Sequence, residues 1–130
     1  MSRRRQLEVY RAEDAALAGR GRAFRGPAEA QRYVDALVAS DWWGGRWPEI
    51  DRVAVGRSRS RRWDGYAVAG EHEIRLASRE EPVLLHELAH LVTPGDGHGE
   101  AFAAALLDLV RHQMGFHAYG ALRHELRATS

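Results

Sequence analysis

The first forty residues of the chain carry apolar residues at helical spacing. Leu7, Tyr10 and Leu17 predict a short helix over about residues 6–18, which a glycine-rich loop follows. A second helix is expected to begin at Pro27, because proline suits the first turn of a helix. The apolar stripe that predicts this helix, as far as about residue 40, consists of Ala30, Tyr33, Val34, Leu37 and Val38.

The middle of the chain changes to short extended segments. The loop Asp41–Pro48 contains three tryptophans, whose large apolar area favours anchoring on the core over lining a substrate groove. Apolar or alternating runs then predict strands near residues 53–61, at Gly65–Ala69 and at Glu73–Ala77. Their lengths and regular spacing predict a small three-stranded, mostly antiparallel sheet.

The remainder of the chain has helical patterning. Three helices are predicted over about Ser78–Val92, Gly99–Met114 and His117–Arg127. Ser78 with Glu81 fits a capping box at the start of the first of them, whereas Pro82 fits a first-turn proline. A tight reversal at Thr93–Gly97 separates this helix from the next. The sequence therefore predicts a single α+β domain over residues 1–130, with N-terminal helices, a small sheet and C-terminal helices.

Composition narrows the available chemistry. The chain has no cysteine, which excludes disulfides, thiolate zinc ligands and cysteine nucleophiles, so any metal site must use His, Asp or Glu. The arginines concentrate in the first half of the sequence, where Arg57, Arg59 and Arg61 alternate with serine. We expect this basic half to neutralise the acidic second half, and contact with nucleic acid or an acidic partner stays open as the alternative.

The sequence shows no targeting or membrane segment. No apolar run follows the basic residues at the N-terminus, as a secretory signal would require. No stretch approaches the roughly 18 apolar residues of a membrane helix. A cytoplasmic protein without a membrane partner is therefore expected.

The third predicted helix contains the run His86-Glu-Leu-Ala-His90, an H-E-x-x-H motif. Residues four apart lie one helical turn apart, so both imidazoles can reach one zinc ion at about 2.0–2.1 Å. Glu87 projects about 100° round the helix from His86, where it can flank the metal without ligating it. That position suits a general base acting on water. The leucines of this helix fall on the opposite face, as expected for a core helix that borders a cleft.

A catalytic zinc ion takes three protein ligands and keeps one open position. His98 is the favoured third ligand, because the reversal after His90 can return the chain to the metal. Asp96 and Glu100 are the alternative ligands, since carboxylates also bind zinc. The remaining four histidines are expected to be structural or to lie on the surface; they are His72, His112, His117 and His124.

The two parts of this motif resemble a known family. His86-Glu-Leu-Ala-His90 followed by His98-Gly-Glu-Ala-Phe102 is similar to the SprT/Spartan-like minimal zincins, whose third histidine opens a His-Gly-x-x-Phe/Trp segment. Most of the chain also resembles a family of small actinobacterial H-E-x-x-H metallohydrolases, through Val9–Asp14, Arg32–Asp35 and Ala101–Val110. The resemblance implies a zincin-like fold and a metallohydrolase activity. Unlike many SprT-type proteins, the chain has no cysteine-rich segment after this region, which weakens any inference of DNA-linked proteolysis.

The expected activity is zinc-dependent hydrolysis of peptide bonds, with a peptide or protein as substrate. We expect Glu73–Ala77 to be the edge strand onto which a peptide adds, and a partner protein that presents substrate fits so small a domain. The oxyanion donor stays open among Tyr66, Tyr119 and an arginine. The alternatives are hydrolysis of a non-peptide substrate and a non-catalytic zinc-bearing binding module.

Overall fold

The computed structural model of the chain describes residues 3–58 and 65–128. The elements follow one another as α1 (Arg3–Leu17), α2 (Pro27–Val38), α3 (Asp41–Arg46), β1 (Ala54–Arg57), β2 (Gly65–Val68), β3 (Glu73–Leu76), α4 (Glu81–Val92), α5 (Glu100–Met114) and α6 (Phe116–Ala128). A single 3₁₀ turn joins β2 to β3. The predicted α+β class is confirmed, and so is the order of helices, sheet and helices.

The sheet is mixed, with strand order β1-β3-β2. β2 pairs with β3 in the antiparallel direction, whereas β1 pairs with β3 in parallel. The prediction of a mostly antiparallel sheet was therefore wrong for one of its two pairings. The segment between β1 and β3, which includes β2, is long enough for the crossover that parallel pairing needs. β3 lies at the centre, so the prediction that Glu73–Ala77 forms an edge was also wrong.

The edge formed by β1 is closed by a side chain of α2. Gln31 Nε2 donates to the carbonyl of Val53 at 2.9 Å, and Gln31 Oε1 accepts the backbone N–H of Val55 at 2.8 Å. A side-chain amide with this geometry satisfies the same groups that a further strand would pair. β2 forms the other edge among the described strands.

The tryptophan segment after α2 forms a short helix where a loop was expected. Ser40 Oγ accepts the backbone N–H of Trp43 at 3.2 Å, which caps the helix α3. The fully buried Trp43 donates its indole N–H to the carbonyl of Ile50 at 2.8 Å. This confirms core anchoring for Trp43, and the burial of one large aromatic group outweighs the two glycines that disfavour a helix there.

The start of α4 and the buried face of α1 differ from the sequence prediction. α4 begins at Glu81 with Pro82 in its first turn, while Ser78 Oγ accepts the N–H of Glu80 and does not cap the helix. The predicted capping box is therefore wrong and the proline signal is confirmed. In α1 the buried face centres on Val9, Ala12 and Ala16.

The helix α4 runs through the middle of the core. Its leucines 84, 85, 88 and 91 are buried, and the helix packs on β2, β3 and α5.

Within residues 3–58 and 65–128, no helix has both the length and the apolar character needed to cross a membrane. Arg57 is exposed at the end of β1, whereas Arg59 and Arg61 lie outside the described residues.

Candidate metal centre

Three imidazoles converge at the C-terminal end of α4. Nε2 of His90 lies 3.1 Å from Nε2 of His86 and 3.2 Å from Nε2 of His98. The remaining pair, His98 and His86, is separated by 3.3 Å between the same atoms. These residues form a group that can hold a metal ion. We call them the histidine cluster.

Hydrogen bonds among the three rings do not account for this arrangement. Nδ1 of His86 lies 2.6 Å from Oε1 of Glu13, so the ring donates its single N–H there when it is neutral. Nε2 of His86 is then an acceptor, and three mutual contacts between Nε2 atoms cannot all pair a donor with an acceptor. At least one pair of facing nitrogens therefore sets donor against donor or acceptor against acceptor, a mismatch that a shared cation would remove.

The separations fit a tetrahedral metal ion. Nitrogen ligands bound at about 2.0–2.1 Å with tetrahedral angles lie about 3.3–3.4 Å apart, and those bond lengths are typical of zinc–histidine sites. The observed separations of 3.1–3.3 Å are close to this value. The chemistry of the donor set agrees, because imidazole suits zinc and other borderline transition metals.

All three histidines are held in the neutral form that metal binding requires. Burial lowers the pKa of His86 to about 4. Burial, and then the neighbouring His86 and His98, lowers the pKa of His90 to about 3. The pKa of His98 falls to about 4, through burial and then the charges of His86 and Arg5. Their lone pairs are thus available near neutral pH.

The turn that carries His98 is stabilised by Asp96, a residue of the same turn that caps the following helix α5. Oδ2 of Asp96 accepts the backbone N–H of Phe102 at 2.9 Å, which satisfies a donor in the first turn of α5. A Cβ on Gly99 would lie 2.8 Å from the same carboxylate, which would then have to move, so glycine suits this cap. Asp96 is therefore engaged at the helix start, and Glu100 is exposed. Neither alternative ligand joins the histidine cluster.

Phe102 forms an apolar floor beneath the cluster. Its fully buried ring lies 4.4 Å from the ring of His90 and 4.9 Å from those of His86 and His98, measured between centroids. A packed floor of this kind restricts the rotamers of all three imidazoles. It also gives the His-Gly-x-x-Phe spacing a physical reason, since Phe102 lies one helical turn beyond His98.

α1 supplies further contacts to the cluster, which the sequence analysis missed. Glu13 bonds to His86 as described, and the Tyr10 ring stacks on His86 with centroids 5.2 Å apart and an interplanar angle of 11°. Nε of Arg5 donates to the carbonyl of His98 at 3.1 Å. Burial, and then the nearby Asp14, raises the pKa of Glu13 well above its usual range. A cation on His86 would favour its ionised form.

An open cleft of about 390 Å³ borders the cluster. Its lining includes His90, His98 and Glu87, with Tyr10 from α1 and Gly65 from β2. A second cavity of about 510 Å³ shares Glu87, Tyr10 and Gly65 and adds His86. Glu87 therefore lies where the two cavities meet, beside the histidines.

Gly65 allows β2 to approach Glu87 closely. A Cβ on Gly65 would lie 3.1 Å from Cγ of Glu87 and 3.0 Å from the carbonyl oxygen of Arg75. Both contacts are tighter than ordinary van der Waals contacts of Cβ atoms. A side chain at this position would therefore displace the carboxylate or the strand.

The other four histidines do not join the cluster. His112 stacks on Trp42 with ring centroids 4.2 Å apart, and His72 occupies a turn with φ +48°. His117 and His124 are exposed on α6. This distribution agrees with the expectation that these histidines are structural or lie on the surface.

A comparison of the chain with protein families, curated proteins and solved structures finds no match.

Proposed function

We propose that this protein is a zinc-dependent hydrolase that cleaves peptide bonds. The observation that carries the proposal is the convergence of three neutral imidazoles beside a cleft that the Glu87 carboxylate also lines. A structural zinc site is closed by four protein ligands, whereas a catalytic site keeps a position open. His90 and His98 line the open cleft, which fits the second type. The resemblance to SprT/Spartan-like minimal zincins supports the same proposal.

His86, His90 and His98 hold the ion in this mechanism. A zinc ion bound by three imidazoles supplies Lewis acidity, which activates water and polarises a carbonyl group. The carboxylate of Glu87 accepts a proton from the attacking water and transfers it to the leaving nitrogen. Glu13 holds the His86 ring through Nδ1, so that Nε2 faces the other two imidazoles and would be available to an ion.

The substrate strand in this proposal adds to β2 and not to the central β3. Gly65, Tyr66 and Ala67 of β2 line the cleft together with Glu87. An extended peptide beside this edge gains backbone hydrogen bonds, and its scissile bond passes the histidine cluster. The opposite edge of the sheet is engaged by Gln31, as described above.

Replacing the proposed base tests the assignment most directly. Glu87→Gln should leave zinc stoichiometry unchanged and lower the rate of casein cleavage by about 10²–10⁴-fold, because the amide cannot accept the proton. Elemental analysis and a protease assay with and without chelator measure the two quantities. Glu100→Gln is the matched control, since this carboxylate is exposed outside the cluster. It should behave as the wild type.

The outcomes separate the competing functions. Chelator-sensitive hydrolysis of an ester or another non-peptide substrate, with casein untouched, would favour the non-peptide hydrolase. Bound zinc with no hydrolysis in the wild type would favour a binding module. Full activity in Glu87→Gln would contradict the assigned base.

A further inference from the structure

Amide hydrolysis places negative charge on the carbonyl oxygen of the substrate, and enzymes stabilise this charge with hydrogen-bond donors fixed in advance. A tyrosine hydroxyl is a suitable donor. The chain contains four tyrosines, and two of them, Tyr10 and Tyr66, line the cleft beside the histidine cluster. The inference below rests on the proposed hydrolase function and asks which tyrosine meets the oxyanion.

The side chain of Tyr66 leaves the sheet on the face away from α4. Tyr66 is paired directly with Arg75 on β3, and side chains of directly opposite residues share one face. Arg75 is exposed, whereas its neighbours Ile74 and Leu76 are buried on the other face. The bond to Glu73 raises the pKa of Arg75, and the nearby phenol of Tyr66 adds to the effect. Tyr66 therefore lines the cleft from the strand and directs its phenol outward.

Two further tyrosines are engaged elsewhere. The hydroxyl of Tyr33 donates to Oε2 of Glu81, at the other end of α4 from the cluster. Tyr119 lies on α6, with the guanidinium of Arg111 5.4 Å from its ring centroid, and does not line the cleft. Arg5 donates through Nε to the carbonyl of His98.

Tyr10 has the placement that the others lack. Its ring stacks on His86 and lies 5.6 Å from the ring of His98, so it is held against two of the three ligands. It lines both cavities that meet at Glu87. The side chain is 37% exposed, although it belongs to a helix that packs on the core. An aromatic ring fixed by stacking, with access to a cleft, is a preorganised donor.

We propose that the Tyr10 hydroxyl donates a hydrogen bond to the substrate carbonyl oxygen as it becomes an oxyanion. The donor thus comes from α1, whereas the ligands and Glu87 come from α4 and the turn before α5. No proton needs to leave Tyr10, because the hydroxyl acts only as a hydrogen-bond donor. The assignment selects Tyr10 in place of Tyr66 and Tyr119.

Tyr10→Phe tests the hydroxyl alone, because phenylalanine keeps the ring stacked on His86. The probe is a phosphinic isostere of Ala-Ala-Ala, whose tetrahedral anionic centre imitates the intermediate. We expect zinc content to equal that of the wild type and the dissociation constant of the probe, measured by calorimetry on the zinc-loaded protein, to rise at least tenfold. For a peptide that the wild type cleaves, kcat should fall about 10²–10³-fold with KM nearly unchanged.

Tyr119→Phe is the matched control, since Tyr119 does not line the cleft, and it should leave probe affinity and kcat within twofold of the wild type. Equal probe affinity in Tyr10→Phe and the wild type, or no zinc-dependent binding to either, would overturn the assignment. A loss confined to zinc content would also overturn it, since the residue would then only support the metal. If the wild type binds the probe but cleaves no peptide, the proposed function fails, while weaker binding in Tyr10→Phe still supports Tyr10 as the anion donor.

Discussion

Two buried polar clusters lie near opposite ends of α4, and they are built differently. At the N-terminal end, Glu81 accepts hydrogen bonds from the backbone N–H of Arg22, at 3.1 Å, and from the hydroxyl of Tyr33. Burial, and then the bond to Glu81, raises the pKa of Tyr33 above its usual range. Donors there meet acceptors. In the histidine cluster, three Nε2 atoms lie 3.1–3.3 Å apart, and their donors and acceptors cannot all be matched.

The contrast separates a structural polar group from a site that needs a ligand. A buried carboxylate that receives two hydrogen bonds is satisfied by the protein itself. The three Nε2 atoms of the histidine cluster cannot all be satisfied by one another, and they form a group that can hold a metal ion. Burial and polarity alone therefore do not identify a ligand site on this helix. A mismatch between hydrogen-bond donors and acceptors does.

Among substitutions that test this contrast, removing one ligand of the histidine cluster should have the largest effect on zinc affinity. His98→Ala should weaken zinc binding by more than the roughly 10–100-fold that loss of an outer hydrogen-bond partner costs, because a coordinating atom is lost. Competition with a chelating dye measures the dissociation constant. His112→Ala is the control, since that ring stacks on Trp42 away from the cluster. Unchanged zinc affinity in His98→Ala would place the third ligand elsewhere.

Removing the carboxylate that contacts the ligand His86 should have a smaller effect on zinc affinity. Glu13→Gln keeps an acceptor for Nδ1 of His86 and loses the carboxylate, so zinc affinity should fall about 10–100-fold. The same dye competition applies, and Asp14→Asn tests the neighbouring exposed carboxylate as control. If both variants bind zinc as the wild type does, the contact between Glu13 and His86 plays no part in metal affinity.

The smallest effect on zinc affinity is expected at the other cluster, where the hydrogen bonds of Glu81 are matched. Tyr33→Phe removes one donor from Glu81 and should lower the free energy of unfolding by about 1–3 kcal/mol, the cost of a buried acceptor that loses a partner. Urea unfolding measures this change. Zinc affinity should stay within twofold of the wild type, and a loss comparable to that of Glu13→Gln would show that the two clusters are coupled.

The sequence predicted the parts of the candidate site that depend on local spacing. His86 and His90 are one turn apart, and the short reversal before His98 limits where that residue can lie. The positions of most helices and strands followed from apolar periodicity in the same way. The strand order did not, because alternation identifies a strand without identifying its neighbours.

The contribution of α1 could not be predicted from spacing. Glu13 precedes its partner His86 by 73 residues, so no local pattern links them. Leu7 and Tyr10 helped to predict α1 only through their helical spacing, and Leu7 proves to be 51% exposed while Tyr10 borders the cleft. The one available signal is that Tyr10 and Glu13 are three residues apart and share a helix face. It becomes informative only once the packing of α1 against the ligands is known.

The glycine that opens β2 limits which related chains could work in the same way. In a chain with an identical five-residue motif but alanine or a larger residue opposite its glutamate, that glutamate or the strand would have to give way slightly, since a Cβ at Gly65 would lie 3.1 Å from Cγ of Glu87. Searches for functional counterparts should therefore score two distant positions together, the acid of the helix and the residue that faces it.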